Sequence, residues 1–164
     1  MGKPFLCVLL AVAATAAHAA GPSARDGVRF LSPDTLSRTA GYSHVAVAPA
    51  GRTVYVSGRM ALDRQGRLVG GSDFRAQAEQ VFANLKTALE AGGASFEDVA
   101  KLDFYVTDMA GAPALREVRD RYIDAAHPPV STLVEVRRLV REDALLEVAA
   151  TAVLPDAPAR SAGP

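Results

Sequence analysis

Pro128-Pro129-Val130-Ser131-Thr132-Leu133-Val134-Glu135-Val136, with the run Leu145–Leu154 behind it, decides how this chain folds. The proline pair fixes φ and cannot continue a helix, so the chain leaves a helix there and turns extended. From Ser131 the residues alternate: Thr132, Val134 and Val136 point one way, Ser131, Leu133, Glu135 and Arg137 the other. A polar turn through Arg141, Glu142 and Asp143 leads into the second run, which carries one charged residue, Glu147. A carboxylate within an apolar strand is costly unless it is paired, hydrated in a cleft or functional. Glu147 is therefore the first candidate for chemistry.

Upstream of this pair, Phe74, Ala78, Val81, Phe82, Leu85, Ala88 and Leu89 fall on one helical face. Ser72 or Asp73 can cap that helix, and Gly92-Gly93 ends it. Ser95 and Asp98 have capping-box spacing. Lys101–Thr107 alternates as a strand with Leu102, Phe104 and Val106 inward, and a second helix is expected over Pro113–Ala125 with Leu115, Val118, Tyr122 and Ile123 buried. Val28–Leu31, His44–Val47 and Thr53–Met60 read as strands, the last two joined as a hairpin by Pro49-Ala50-Gly51. A further turn at Asp63–Gly66 lets Leu68-Val69 pair back. The order is α+β, with a mixed, mostly antiparallel sheet and two helices on one face. The last strand is apolar on both sides, Leu146, Val148, Ala150 and Ala152 on one and Leu145, Ala149 and Val153 on the other. The face without helices needs a cover, and further copies of the same chain are the economical one.

The N-terminus reads as an export signal: Lys3, an apolar run from Pro4 to Ala17, and the small-x-small site Ala17-His18-Ala19. The run is about 14 residues, short of the ~20 that span a membrane, although an uncleaved anchor is the alternative. Cleavage after Ala19 removes Cys7, the single cysteine, and with it any disulfide, thiol nucleophile or thiolate metal site. Loss of Lys3 tips the balance of 18 basic and 18 acidic residues to a net charge of −1. That balance argues against a nucleic-acid partner and, after cleavage, a membrane surface. His44 and His127 lie far apart, so neither a metal nor a cofactor is expected. The divisions are a signal over 1–19, a flexible link over 20–26, one domain over 27–154 and a disordered tail over 155–164.

Gly41-Tyr42-Ser43-His44, Tyr55-Val56-Ser57-Gly58-Arg59-Met60, Asn84-Leu85-Lys86, Val106-Thr107-Asp108-Met109, Val134-Glu135-Val136 and Leu146-Glu147-Val148 occur in one order over Val28–Leu154. In these motifs the chain resembles the Rid family (YjgF-like, reactive intermediate deaminases). The resemblance implies a chorismate-mutase-like α+β fold, a homotrimer, and small-molecule clefts between subunits. In deaminating members an arginine of a Pro-x-Arg-Ser motif grips the substrate carboxylate, a glutamate of the last strand handles the attacking water, and a tyrosine near the N-terminus completes the pocket. Carried over, the glutamate is Glu147, the tyrosine is Tyr42, and the arginine position holds Ser131. Arg116 stands where deaminases commonly carry asparagine, His44 replaces a usual glutamine, and Ala149 stands where many members have a second acid.

Ser131 supplies neither the charge nor the planar fork of arginine. Charged hydrogen bonds contribute about 1.5–3 kcal/mol each, so losing two weakens imino-acid binding by orders of magnitude. The expectations are thus Glu147 as the catalytic residue, with Tyr42, Ser131, Arg116 and His44 binding substrate. These have structural counterparts: a buried ion pair with an arginine across the subunit interface for Glu147, a core or interface tyrosine with a satisfied hydroxyl for Tyr42, a satisfied structural histidine for His44, and a solvated helix face for Arg116, Arg119 and Arg121. The leading function is hydrolytic deamination of a small imine, enamine or related C–N substrate. The alternatives are a trimeric small-molecule-binding protein without turnover, favoured by Ser131, and a structural or chaperone-like trimer. Export places any of these in the periplasm. N-terminal sequencing of the protein from its native host should begin at Ala20, and a chain retaining Met1–Ala19 would sink the signal reading.

Overall fold

The computed structural model describes residues 27–39 and 41–156, so the signal, the link over 20–26 and the end of the tail lie outside the described residues. Strands β1 (Arg29–Leu31), β2 (Val45–Val47) and β3 (Gly51–Arg59) precede helix α1 (Phe74–Ala91). A 3₁₀ turn, Phe96–Asp98, leads into β4 (Val99–Val106); a second, Met109–Gly111, leads into α2 (Ala112–Arg119). Strands β5 (Val130–Glu135) and β6 (Leu146–Pro155) complete the chain. The main sheet has the order β3-β6-β4-β5, parallel only between β4 and β5. This is the mixed α+β sheet expected.

One pairing differs from expectation. β2 and β3 are consecutive but form no hairpin: β2 pairs with β1 in a separate two-stranded sheet, and β3 pairs with β6. The turn residues at 49–51 are genuine, yet β6 offers β3 a partner of matching length and apolar pattern, while three-residue β2 offers little to bury. The Leu62–Leu68 bridge and the Val69 N–H donating to Ala61 C=O at 2.8 Å form the second turn as read.

α1 begins where Asp73 accepts from the Ala76 N–H and ends at Gly92, whose N–H donates to the carbonyls of Ala88 and Leu89. Ser95 and Asp98 form the expected reciprocal capping box. Val81, Phe82, Leu85 and Leu89 of α1 are fully buried against Leu102, Phe104 and Val106 of β4 and Leu146, Val148, Ala150 and Ala152 of β6. Phe82, Phe96 and Tyr122 stack together at the end of this core, with ring centroids 5.0–5.9 Å apart. The opposite sheet face carries Tyr55, Tyr105, Thr132, Val134, Glu147, Ala149 and Thr151, and Tyr55 is 81% exposed there.

One buried polar side chain locks α1 to the sheet. Gln77, fully buried, donates to Gly71 C=O at 2.5 Å and Asp143 C=O at 3.1 Å, and its Oε1 accepts from the Leu145 N–H at 2.8 Å. It therefore anchors the entry to β6. Gln77→Leu would leave those backbone groups unsatisfied at about 1–3 kcal/mol each where water cannot reach them. A net loss of about 3 kcal/mol is expected, read as a lower urea midpoint at unchanged slope. A midpoint equal to wild type would mean that water replaces the amide.

Candidate functional site

The proline pair positions more than β5. The Pro128 and Pro129 carbonyls accept from buried Ser43, the former from its hydroxyl at 2.7 Å and the latter from its N–H at 3.3 Å. This ties the Gly41–His44 loop to the start of β5 and brings Tyr42 beside Ser131. At the other end of β5, Glu135 accepts from the Met109 N–H at 2.8 Å, so Met109 and the start of α2 close over the same strand.

Between them lies a cavity of about 360 Å³. Its walls are Phe104, Leu133, Leu115 and Met109; its polar groups come from Tyr42, Ser131, Arg116 and Arg119. Three of the expected binding residues, Tyr42, Ser131 and Arg116, thus meet in one place. Arg119 was expected on a solvated face with Arg116 and Arg121, and there the structure differs. Arg121 is exposed and pairs with Glu79 of α1 at 2.9 Å, and Arg116 is exposed at the cavity rim. Arg119 is only 8% exposed. Its position four residues after Leu115 puts it on the buried stripe of α2, which is the signal its flanking charges obscured.

Arg119 is held on two sides. Its Nε donates to Asp120 Oδ1 at 2.8 Å, with Nη2 2.7 Å from the same oxygen. Gly41 packs against the guanidinium, where any Cβ would overlap Nη2, and has φ of 74°, a conformation that favours glycine. Among the described residues Nη1 meets no acceptor.

Glu147 and His44 do not line this cavity. Ser131 is in register with core residue Leu102, whereas Glu147 is in register with Tyr105 on the opposite face. Within one chain the sheet separates them. The Glu147 carboxylate lies across Gly58 of β3, where a Cβ would overlap it, at the irregularity between Val56 and Arg59. Among the described residues Glu147 makes no ion pair or side-chain hydrogen bond. His44 sits edge-on to Tyr42, centroids 6.2 Å apart, and its Nε2–H donates to Ser37 C=O at 2.8 Å. Among the described residues no group of three or more His, Cys, Asp or Glu is placed to hold a metal, and no helix is long and apolar enough to cross a membrane.

The model of the Endoribonuclease L-PSP family matches residues 33–154. The chain belongs to this family. A RutC family protein of Synechocystis sp. is 35% identical over 103 residues, covering 62% of this chain and 78% of that protein. The 3-aminoacrylate deaminase RutC of Acinetobacter baylyi is 34% identical over 109 residues, covering 66% and 85% respectively. Among solved structures, YyfB of Yersinia pestis, a protein of unknown function of the conserved Rid protein family, has a TM-score of 0.74 at 34% identity. It covers 79% of this chain and 100% of its own. The Rid resemblance and its α+β fold are thereby borne out.

Gly58 gives this family member a way to test the placement of Glu147 without removing the carboxylate. Gly58→Ala should displace the side chain from β3 and, if Glu147 carries the chemistry of the last strand, lose whatever activity Glu147→Ala loses. Stability should change by less than about 1 kcal/mol, since the acid can swing into solvent. Full activity in Gly58→Ala with an unchanged melting temperature would show that the position of Glu147 over β3 is unimportant.

Proposed function

We propose that this chain is an exported, homotrimeric Rid-type hydrolase that deaminates small imines or enamines in clefts completed between subunits. The observation that carries the reading is the separation of the two halves of the site. The cavity at Tyr42 and Ser131 lies on the helix side of the sheet, and the unpaired Glu147 lies on the other. A chain cannot bring its own Glu147 to its own cavity through the sheet. A second copy packed on the uncovered face can. Family membership and the similarity to a 3-aminoacrylate deaminase support the chemistry.

In the proposed step, water adds to the imine carbon while Glu147 takes one of its protons and passes it to nitrogen, giving a carbinolamine. The hydroxyl proton then moves through the same carboxylate to the nitrogen as the C–N bond breaks and the C=O bond forms, giving a carbonyl product and ammonia. The open face supplies further reason for association, because exposed Tyr55, Tyr105 and Val134 stand there beside Ala149 and Thr151. The walls of the cavity hold a short apolar group, and the Tyr42 and Ser131 hydroxyls can orient its polar end.

Light scattering should give three times the chain mass. Imines generated from amino acids by an oxidase, with semicarbazide trapping what escapes, should release ammonia faster with the protein than without. Glu147→Ala should cost about 10²–10⁴-fold, as general acid–base groups do. Trimers co-assembled from Glu147→Ala and Ser131→Trp chains should regain part of the activity that each lacks alone. No acceleration with any imine or enamine would leave a binding protein without turnover, and absence of recovery in mixed trimers would overturn the shared cleft.

A further inference from the structure

We infer that Arg119 is the anion-binding residue of the cavity, so that the ligand taken there is a small carboxylate, held by α2 and not by β5. The inference rests on the proposed function for the identity of the site, but its argument is independent of turnover.

A guanidinium that is 8% exposed needs partners for its donors. Its one carboxylate partner among the described residues, Asp120, is its own chain neighbour, and that side chain is about half exposed. Asp120 occupies the Nε–Nη2 edge through a single oxygen, Oδ1. Nη1 is left without an acceptor among the described residues, on a side chain that lines the cavity. Gly41 packs against the group, and its missing side chain leaves the room that Nη2 occupies. Such an immobilised planar fork suits a carboxylate, because its rotamer freedom is already lost before the ligand arrives.

The surroundings select for one small anion. No acidic side chain lines the cavity among the described residues, while a second cation, Arg116, stands at its rim. The acids on α2 and its C-cap and on β5 are committed elsewhere: Glu117 to Arg75, Asp120 to Arg119, and Glu135 to the Met109 N–H. The Ser131 and Tyr42 hydroxyls offer further donors, and Phe104, Leu115 and Leu133 leave apolar space for a short chain. The charge that an arginine at 131 would bring is therefore present in the cavity from another element. Arg119 is a binding and specificity-determining residue on this assignment, and the expected weakness toward imino acids is lifted.

Titration calorimetry on the purified protein tests this with 2-oxobutanoate as the probe, its methyl ester as the neutral control and inorganic phosphate as the competing anion. Wild type should bind 2-oxobutanoate. Arg119→Gln should weaken that binding by about tenfold to a hundredfold and leave the methyl ester unchanged, with Arg119→Lys falling between. If Arg119→Gln fails to fold, Ser131→Asp provides the second arm: its carboxylate should pair with Arg119 and abolish anion binding while the melting temperature holds or rises. Equal affinity of Arg119→Gln and wild type, absence of wild-type binding, or unimpaired binding in Ser131→Asp would each overturn the assignment. Tighter binding of phosphate than of 2-oxobutanoate would overturn the choice of a carboxylate. Because none of these measurements needs turnover, an inactive wild-type protein would count against the deaminase reading alone.

Discussion

The constraint on which the rest of the structure depends is the two-sidedness of β6. It is hydrogen-bonded to β3 on one side and β4 on the other, so its register is fixed twice. One face sends Leu146, Val148, Ala150 and Ala152 into the core beneath α1. The other carries Glu147, Ala149 and Thr151. A slip of one residue would drive a carboxylate under α1 and expose four apolar side chains. Burial of a valine or leucine contributes about 1.5–3 kcal/mol, and a buried unpaired charge costs more still, so that alternative is excluded on both counts. The same alternation that makes the core places Glu147 on the face away from the cavity. Fold and division of the site are one fact.

Local signals were legible and non-local ones were not. The apolar stripe of α1, the Asp73 cap, the Ser95–Asp98 box and the alternation of Leu102, Phe104 and Val106 are written within a few residues of themselves. Reading them needs no knowledge of what lies across the sheet. The pairing of β3 with β6 joins residues about a hundred positions apart, while Pro49-Ala50-Gly51 offers a competing local explanation. A turn signal says that the chain reverses, not that the flanking strands pair. Similarly, Tyr42, Ser131 and Arg116 could be proposed together only through the family resemblance. Their meeting depends on Ser43 reaching the Pro128 and Pro129 carbonyls, a long-range contact that no periodicity reveals.

Arg119 illustrates a different limit. Composition averaged over Arg116–Arg121 reads as a polar surface, and for Arg116 and Arg121 it is one. The helical period, applied strictly, sets Arg119 on the stripe of Leu115 and Val118. Arginine tolerates such a position because its apolar stem packs while its head seeks a polar opening. Here that opening is the cavity, and Gly41 leaves the room that Nη2 occupies. The sequence contained both clues, but neither meant anything alone.

On the assignment of Arg119 as the anion holder, the serine at 131 is a consequence and not a loss. An arginine at 131 would enter a cavity already lined by Arg116 and Arg119. Two like charges about 4 Å apart repel by about 4 kcal/mol at the effective dielectric of a protein surface, and more where water is excluded. A short hydroxyl at 131 avoids that repulsion, since it can donate to an anion without adding charge. On that assignment the guanidinium comes from the helix, and the strand supplies only a hydroxyl. Placing it on the helix changes the direction from which the carboxylate is held and, in the proposed shared cleft, would turn the reacting carbon relative to Glu147. The alkyl and amino substituents of the ligand would then meet different walls, which is how one chemistry acquires a different substrate range without a new catalytic group.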